Sequence, residues 1–136
     1  MKVKVRRKAH FNAAHRLYRS DWMTEKNEAV FGKCSNPFYH GHNYNLEVEV
    51  EGEVDTETGF VIDMKMLQKI IFDQVTSYLD HKNLNEQIEE FKDLNPTAEH
   101  IAYVAWNRMR PHIPEHLDMT VTLFETERNS VVYSGN

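Results

Sequence analysis

The sequence predicts an α+β fold, a four-stranded antiparallel sheet with two helices on one of its faces. Two observations carry the prediction. Apolar residues alternate with polar ones toward both ends of the chain, whereas two central stretches repeat them every three or four positions. The resulting order is strand, strand, helix, helix, strand, strand. With 136 residues the chain is a single domain, 1–136, large enough for one core of its own. No internal repeat, low-complexity tract or linker divides it.

The first strand starts at Lys2, with Val3 and Val5 alternating with charged residues to about Arg7. It continues, with or without a bulge, through Phe11, Ala13 and His15 at a spacing of two. Leu17 to Lys33 is polar, with Trp22 and Phe31 as anchors, and reads as a long loop or an irregular helical turn. Loops of that length in a compact domain are usually functional. Residues 34–39 form a turn into a second strand at about 42–53. There Tyr44, Leu46, Val48 and Val50 face inward, and Asn43, Asn45, Glu47, Glu49 and Glu51 face outward.

Residues 55–59 are a turn by composition. Asp63 is placed to cap a helix whose apolar stripe runs through Met64, Leu67, Ile71, Val75 and Tyr78 to Leu79. Asp80-His81-Lys82-Asn83-Leu84 follows at its exit. A second helix begins near Asn95-Pro96-Thr97, with Pro96 at the first helical position, and buries Ile101, Val104, Ala105 and Met109. Pro111 and Pro114 end it. Leu117–Glu125, with Met119, Val121 and Leu123 inward, and Ser130–Tyr133 are the last two strands. A sheet this small has two open edges, which favours pairing into an oligomer.

Charged residues make up 27% of the chain and its net charge is −5, with no basic cluster of more than a few residues, which argues against nucleic acid or an anionic membrane as the main partner. No run of 18 apolar residues and no signal segment is present, so neither a membrane span nor secretion is expected. The single Cys34 cannot form an internal disulfide and suits a reducing, cytoplasmic setting.

The chemistry centres on His40-Gly41-His42. Two histidines two apart on the inward face of a strand need a common partner, because an unpaired buried imidazole is costly, and a metal is the simplest one. His15, alone, would read as a satisfied core histidine. Beside the pair it completes a three-imidazole set, the pattern of a zinc site that leaves a fourth position open. Cys34 could close that position instead. As a reactive thiolate Cys34 would be favoured by the metal and by Lys33, and otherwise it is a small buried hydrophobe.

Asp80 and His81 are either a polar helix terminus or a working carboxylate–imidazole pair, although sequence neighbours seldom bond well through their side chains. Glu125 keeps inward parity at a strand end, where a carboxylate needs a partner and could accept from the N–H groups of a heterocycle. Thr97 and Glu99 suit capping and the helix dipole. His10 has the wrong parity for the set, and His100, His112 and His116 show no partner pattern.

Taken together, Phe11-Asn12-Ala13-Ala14-His15-Arg16-Leu17, Phe31-Gly32-Lys33-Cys34, His40-Gly41-His42-Asn43-Tyr44, Asp80-His81-Lys82-Asn83-Leu84, Pro96-Thr97-Ala98-Glu99 and Leu123-Phe124-Glu125-Thr126 resemble the 6-pyruvoyl-tetrahydropterin synthase family. That family includes the 6-carboxytetrahydropterin synthases of queuosine biosynthesis. The resemblance covers nearly the whole chain.

It implies a tunnelling fold, in which three subunits join their sheets into a barrel and two trimers stack as a homohexamer with active sites at subunit interfaces. It implies His15, His40 and His42 as Zn2+ ligands, Cys34 as catalytic base and Asp80 with His81 as the proton-transfer pair of an adjoining subunit. Glu125 matches the pterin anchor, and Thr97 and Glu99 match the pocket edge. The implied reaction is a lyase reaction that converts 7,8-dihydroneopterin triphosphate to 6-pyruvoyl-tetrahydropterin with elimination of triphosphate. The alternative product is the 6-carboxy compound, with release of acetaldehyde.

Five residues separate Cys34 from His40, as in the pyruvoyl-forming members, where carboxy-forming ones resemble a shorter version. The side-chain-cleaving members rely on a glutamate in this loop, which Cys34 disfavours. Arg16, Lys33 and Lys82 are candidates to receive the triphosphate. A non-catalytic zinc- or pterin-binding module and a generic three-histidine hydrolase are the readings of other classes, and neither would need Cys34.

Overall fold

The computed structural model describes residues 1–136. Its spine is a two-stranded ribbon. β1 (Lys2–His15) and β2 (His40–Glu53) pair antiparallel residue for residue, from Lys2 opposite Glu53 to His15 opposite His40. No bulge interrupts the register, so the parity of His15 carries back through Ala13 and Phe11 to Val3. β2 then pairs with β4 (Asp118–Phe124), and β4 with β5 (Ser130–Tyr133), both antiparallel.

One correction applies to the sheet. It has five strands, in the order β3-β1-β2-β4-β5, and is mixed, because β3 (Lys82–Asn83) lies parallel to Ala13 and Ala14 of β1. Two residues are too few to show a period in the sequence. Beyond them and the bonds of Asn12 to Asp80 and His81, the outer edge of β1 has no strand partner from Lys2 to Phe11, and the outer edge of β5 is unpaired as well.

Residues 24–31 are the second correction. α1 (Thr24–Phe31) is a regular helix, although it has no apolar stripe, and its one buried residue is polar. Asn27 explains it: Oδ1 accepts from the Arg19 N–H at 2.8 Å, and Nδ2 donates to the Arg19 carbonyl at 3.0 Å. A side-chain amide thus stands in for a strand partner. Trp22 and Phe31 do act as anchors, stacked with ring centroids 5.7 Å apart.

α2 (Met64–Ile71) starts where expected, with Asp63 accepting from the Lys65 N–H at 2.9 Å. It runs through a π-helical turn (Phe72–Thr76) into α3 (Ser77–Leu79). Leu67, Ile70, Ile71, Val75 and Leu79 are buried, and Met64 lies at the surface. After α4 (Leu84–Gln87), α5 (Ala98–Met109) is capped by Thr97, whose hydroxyl accepts from the His100 N–H at 3.2 Å. Pro96 therefore stands before the cap instead of inside the helix. No helix is long and apolar enough to cross a membrane.

The core is the inner sheet face, Phe11, Ala13, Tyr44, Leu46, Val48, Val50, Met119, Val121 and Leu123, packed on the buried faces of α2 and α5. Each fully buried Leu or Val contributes roughly 1.5–3 kcal/mol. The outer face is charged: Arg6 donates to Glu49 at 2.9 Å, and Lys4 lies 3.7 Å from the same carboxylate. The site lies where the β1–β2 ribbon leaves this core.

Candidate active site

Because His15 is opposite His40 and His42 is opposite Ala13, strand pairing alone gathers the three imidazoles. One ligand nitrogen from each lies within 4.8 Å of the others. The rings meet edge to face, with centroids 4.5 to 5.0 Å apart. His15 is fully buried, and its Nδ1 is 2.8 Å from the Pro96 carbonyl. A carbonyl only accepts, so that contact puts the proton on Nδ1 and turns the lone pair of Nε2 inward, 2.9 Å from His40 Nε2. A backbone carbonyl fixing the tautomer of one imidazole is the usual outer support of a metal ligand.

Electrostatics agree. Burial lowers His15 to about 4, with His40 and His42 adding to the effect, and burial followed by His42 lowers His40. Both are therefore neutral lone-pair donors at pH 7. His40 Nδ1 and His42 Nε2 are buried without a hydrogen-bond partner. Leaving them so costs about 1–3 kcal/mol each, and a cation removes that cost for any lone pair that ligates it. The donor set fits Zn2+ with a further position left for a water or an oxygen ligand.

Glu125 follows β4 and is half-buried. Its carboxylate acts on Cys34, His40 and Tyr44, which places it among them as its parity requires. Cys34 is partly exposed in a short 3-10 turn (Gly32–Ser35), and the Leu17 N–H donates to its carbonyl at 2.8 Å. Burial, then Glu125, push its thiol up from the ordinary value. The expectation that Lys33 favours the thiolate is corrected: Lys33 is exposed and has no part in the shift, whereas Glu125 opposes the charge. A cation on the histidines is the group that would reverse the balance.

Asp80 and His81 bond directly, His81 Nδ1 lying 2.9 Å from Asp80 Oδ2, contrary to the expectation for sequence neighbours. The reason is a backbone turn: His81 has φ +59°, in the left-handed region, which folds its ring back over the preceding carboxylate. Asn12 clamps both, its N–H donating to Asp80 Oδ1 at 2.8 Å and its carbonyl accepting from the His81 N–H at 2.6 Å. The Asn12 N–H, then His81, hold Asp80 below the usual carboxylate range. His81 opens into a cleft of about 570 Å³ with Asn12, Gly41, His42 and Asn43, at the end of the sheet. The cleft takes in residues of both parities at the sheet edge, and neither Cys34 nor Glu125 lines it.

Thr97 is half-exposed and occupied as the α5 cap, and Glu99 is exposed in the first turn. Neither contacts the histidines, and that loop reaches them only through Pro96. Pro96 itself carries no side-chain signal, since its contribution is a carbonyl. Arg16 has its Nε bound to the Ser35 carbonyl at 2.8 Å and its guanidinium 3.8 Å over the Tyr18 ring, leaving both Nη groups without a partner in the chain.

Residues 4–136 match the family described as 6-pyruvoyl tetrahydropterin synthase. A 6-pyruvoyl tetrahydrobiopterin synthase from Pongo abelii is 40% identical over 133 residues, 98% of this chain and 92% of the relative. A dihydroneopterin monophosphate aldolase from Pyrococcus furiosus is 35% identical over 84% of this chain and 81% of its own length. The solved structure of Caenorhabditis elegans 6-pyruvoyl tetrahydropterin synthase superposes with a TM-score of 0.94 at 36% identity, covering 100% of this chain and 97% of that one.

Proposed function

The chain belongs to the 6-pyruvoyl tetrahydropterin synthase family, and we propose that it is a zinc-dependent lyase forming 6-pyruvoyl-tetrahydropterin from 7,8-dihydroneopterin triphosphate. The observation that carries this reading is the convergence of Cys34, Glu125 and three clustered imidazoles, His15 fully buried among them, on one end of the β1–β2 ribbon.

His15, His40 and His42 would hold Zn2+, which would supply Lewis acidity toward the hydroxyl oxygens of the substrate side chain. Glu125 accepts from the ring and amino N–H groups of the pterin, with Thr97 and Glu99 at the rim of the same pocket. That anchoring presents the side chain to Cys34, which as thiolate removes its C–H proton. Asp80 holds His81 in one orientation, and the His81 imidazole returns protons as triphosphate leaves and the ring is reduced. Oxidation of the side chain balances reduction of the ring, so no redox cofactor takes part. Arg16, with two free Nη groups on a fixed plane, receives the leaving phosphates.

Because neither Cys34 nor Glu125 lines the cleft of His81, the pair is assigned to a site on a second copy. The unpaired edges of β1 and β5 support a homohexamer in which sheets join between subunits into a barrel. The test is mass spectrometry of products after the zinc-loaded protein meets 7,8-dihydroneopterin triphosphate. A pyruvoyl-tetrahydropterin mass with free triphosphate is expected. A carboxy-tetrahydropterin with acetaldehyde, or a cleaved side chain, would reassign the product, and unchanged substrate would leave only a binding module.

A further inference from the structure

We propose that Arg108 is a positioning residue for Asp80 and His81, acting through the π-helical turn between α2 and α3; the catalytic part of this inference rests on the role given to that pair above. A π-helical turn takes up one residue more than an α-helical one, and such turns recur at functional sites. The same residues in α-helical register would end rotated by about 100° and shifted by about 1.5 Å. In this chain the element downstream is short: Leu79 ends the helix and Asp80 follows at once. The geometry of the turn therefore sets where the pair sits.

Arg108, near the end of α5, reaches across to that turn. Its Nε donates to the Gln74 carbonyl at 2.7 Å, its Nη1 lies 3.2 Å from Glu90 Oε2, and its plane lies 3.6 Å over the Tyr78 ring. The Tyr78 hydroxyl closes the circuit by donating to Glu90 Oε1 at 2.6 Å. Burial opposes charge on Glu90, yet Tyr78 and Arg108 hold it below the usual carboxylate range, so the guanidinium keeps an anionic partner. Downstream the Asp80 N–H donates to the Thr76 carbonyl, inside the turn, and the Asp80 carboxylate meets the Asn12 N–H. The chain of contacts runs from Arg108 to the turn, from the turn to Asp80, and from Asp80 to His81 and β1. None of Arg108, Tyr78 and Glu90 lines the cleft of His81. The fork and plane of arginine are both used, and a lysine supplies a point charge with neither the fixed fork nor the plane.

The experiment compares Arg108→Met and Arg108→Lys with wild type well below the melting temperature, in the His81 and the His81→Ala backgrounds. Arg108→Met is expected to lower kcat about tenfold at unchanged KM and zinc content, with Arg108→Lys between. In the His81→Ala background it is expected to change nothing further, since its effect passes through His81. Amide exchange supplies a second readout that needs no turnover. The Asn12 and His81 amides are expected to exchange about tenfold faster in Arg108→Met, with the Val48 and Val121 amides unchanged. An unchanged kcat, an equal loss carried into His81→Ala, or faster exchange spread evenly over the sheet would overturn the proposal. If Arg108→Met does not fold, Arg108→Lys is read by the same criteria. Absence of turnover in wild type would overturn the functional reading instead, and the exchange pattern alone then decides the positioning role.

Discussion

Acidifying the metal-free protein should weaken it chiefly through His15. In the folded chain burial sets this imidazole at about 4, whereas the unfolded chain protonates near the ordinary 6.5. Between those values the unfolded state binds more protons than the folded one, so stability is complete above pH 6.5 and is lost as pH falls toward 4. At 1.36 kcal/mol per pH unit the interval corresponds to about 3 kcal/mol. His40, lowered by burial as well, adds in the same direction. With a urea slope of about 1.5 kcal/mol/M, the midpoint should fall by about 2 M between pH 7 and pH 4. The assay is urea unfolding of chelator-treated protein at several pH values, beside His15→Gln, which keeps a donor for the Pro96 carbonyl and does not titrate. The difference between the two proteins isolates His15 from the carboxylates, which respond at lower pH. A difference that stays flat from pH 7 to 4.5 would refute the assignment of a buried, neutral His15. Zinc should steepen the wild-type curve, since protons and metal compete for the same lone pairs.

Cys34→Ala should cut turnover by a factor of about 10³ while zinc stoichiometry, read by atomic absorption, stays unchanged, because the proposed mechanism uses Cys34 as a proton-transfer group and not as a ligand. A zinc hydrolase at this site would keep its rate. Thr97→Ala removes the acceptor for the His100 N–H and should cost about 1 kcal/mol, seen as a melting temperature about 4 °C lower by calorimetry. Light scattering should return six times the 16.1 kDa chain mass, and a monomer mass would remove the proposed role of the unpaired β1 edge.

The histidine set was legible because a strand has a period of two and β1 and β2 keep that period without a bulge, so parity in the sequence became proximity in space. Glu125 was legible for the same reason. Helix α2 was readable from its stripe and the Asp63 cap, but the π-helical turn was not, since its stabilising partner Arg108 is far away in sequence. α1 was invisible because it is held by one amide, Asn27, instead of an apolar face. The Asp80–His81 bond depends on a single positive φ that the residue types do not announce. The Pro96 carbonyl belongs to the backbone and leaves no trace in composition. The family motifs pointed to Cys34 and to Asp80 with His81, while the local electrostatics of Cys34 came only from seeing Glu125 beside it.

The unbroken register of β1 and β2 also bears on how the chain reaches its native state. The pair joining positions 15 and 40 encloses about half as much chain as the pair joining positions 2 and 53, which makes it cheaper to close by about 0.6 kcal/mol of loop entropy. The ribbon is therefore expected to zip from the histidine end outward, with the contacts near the N-terminus forming last. Substitutions at Ala13 or Tyr44 should then slow refolding, and substitutions at Val3 or Gly52 should chiefly hasten unfolding, which stopped-flow chevrons can separate. His15, His40 and His42 would be among the first residues of the sheet to find their partners.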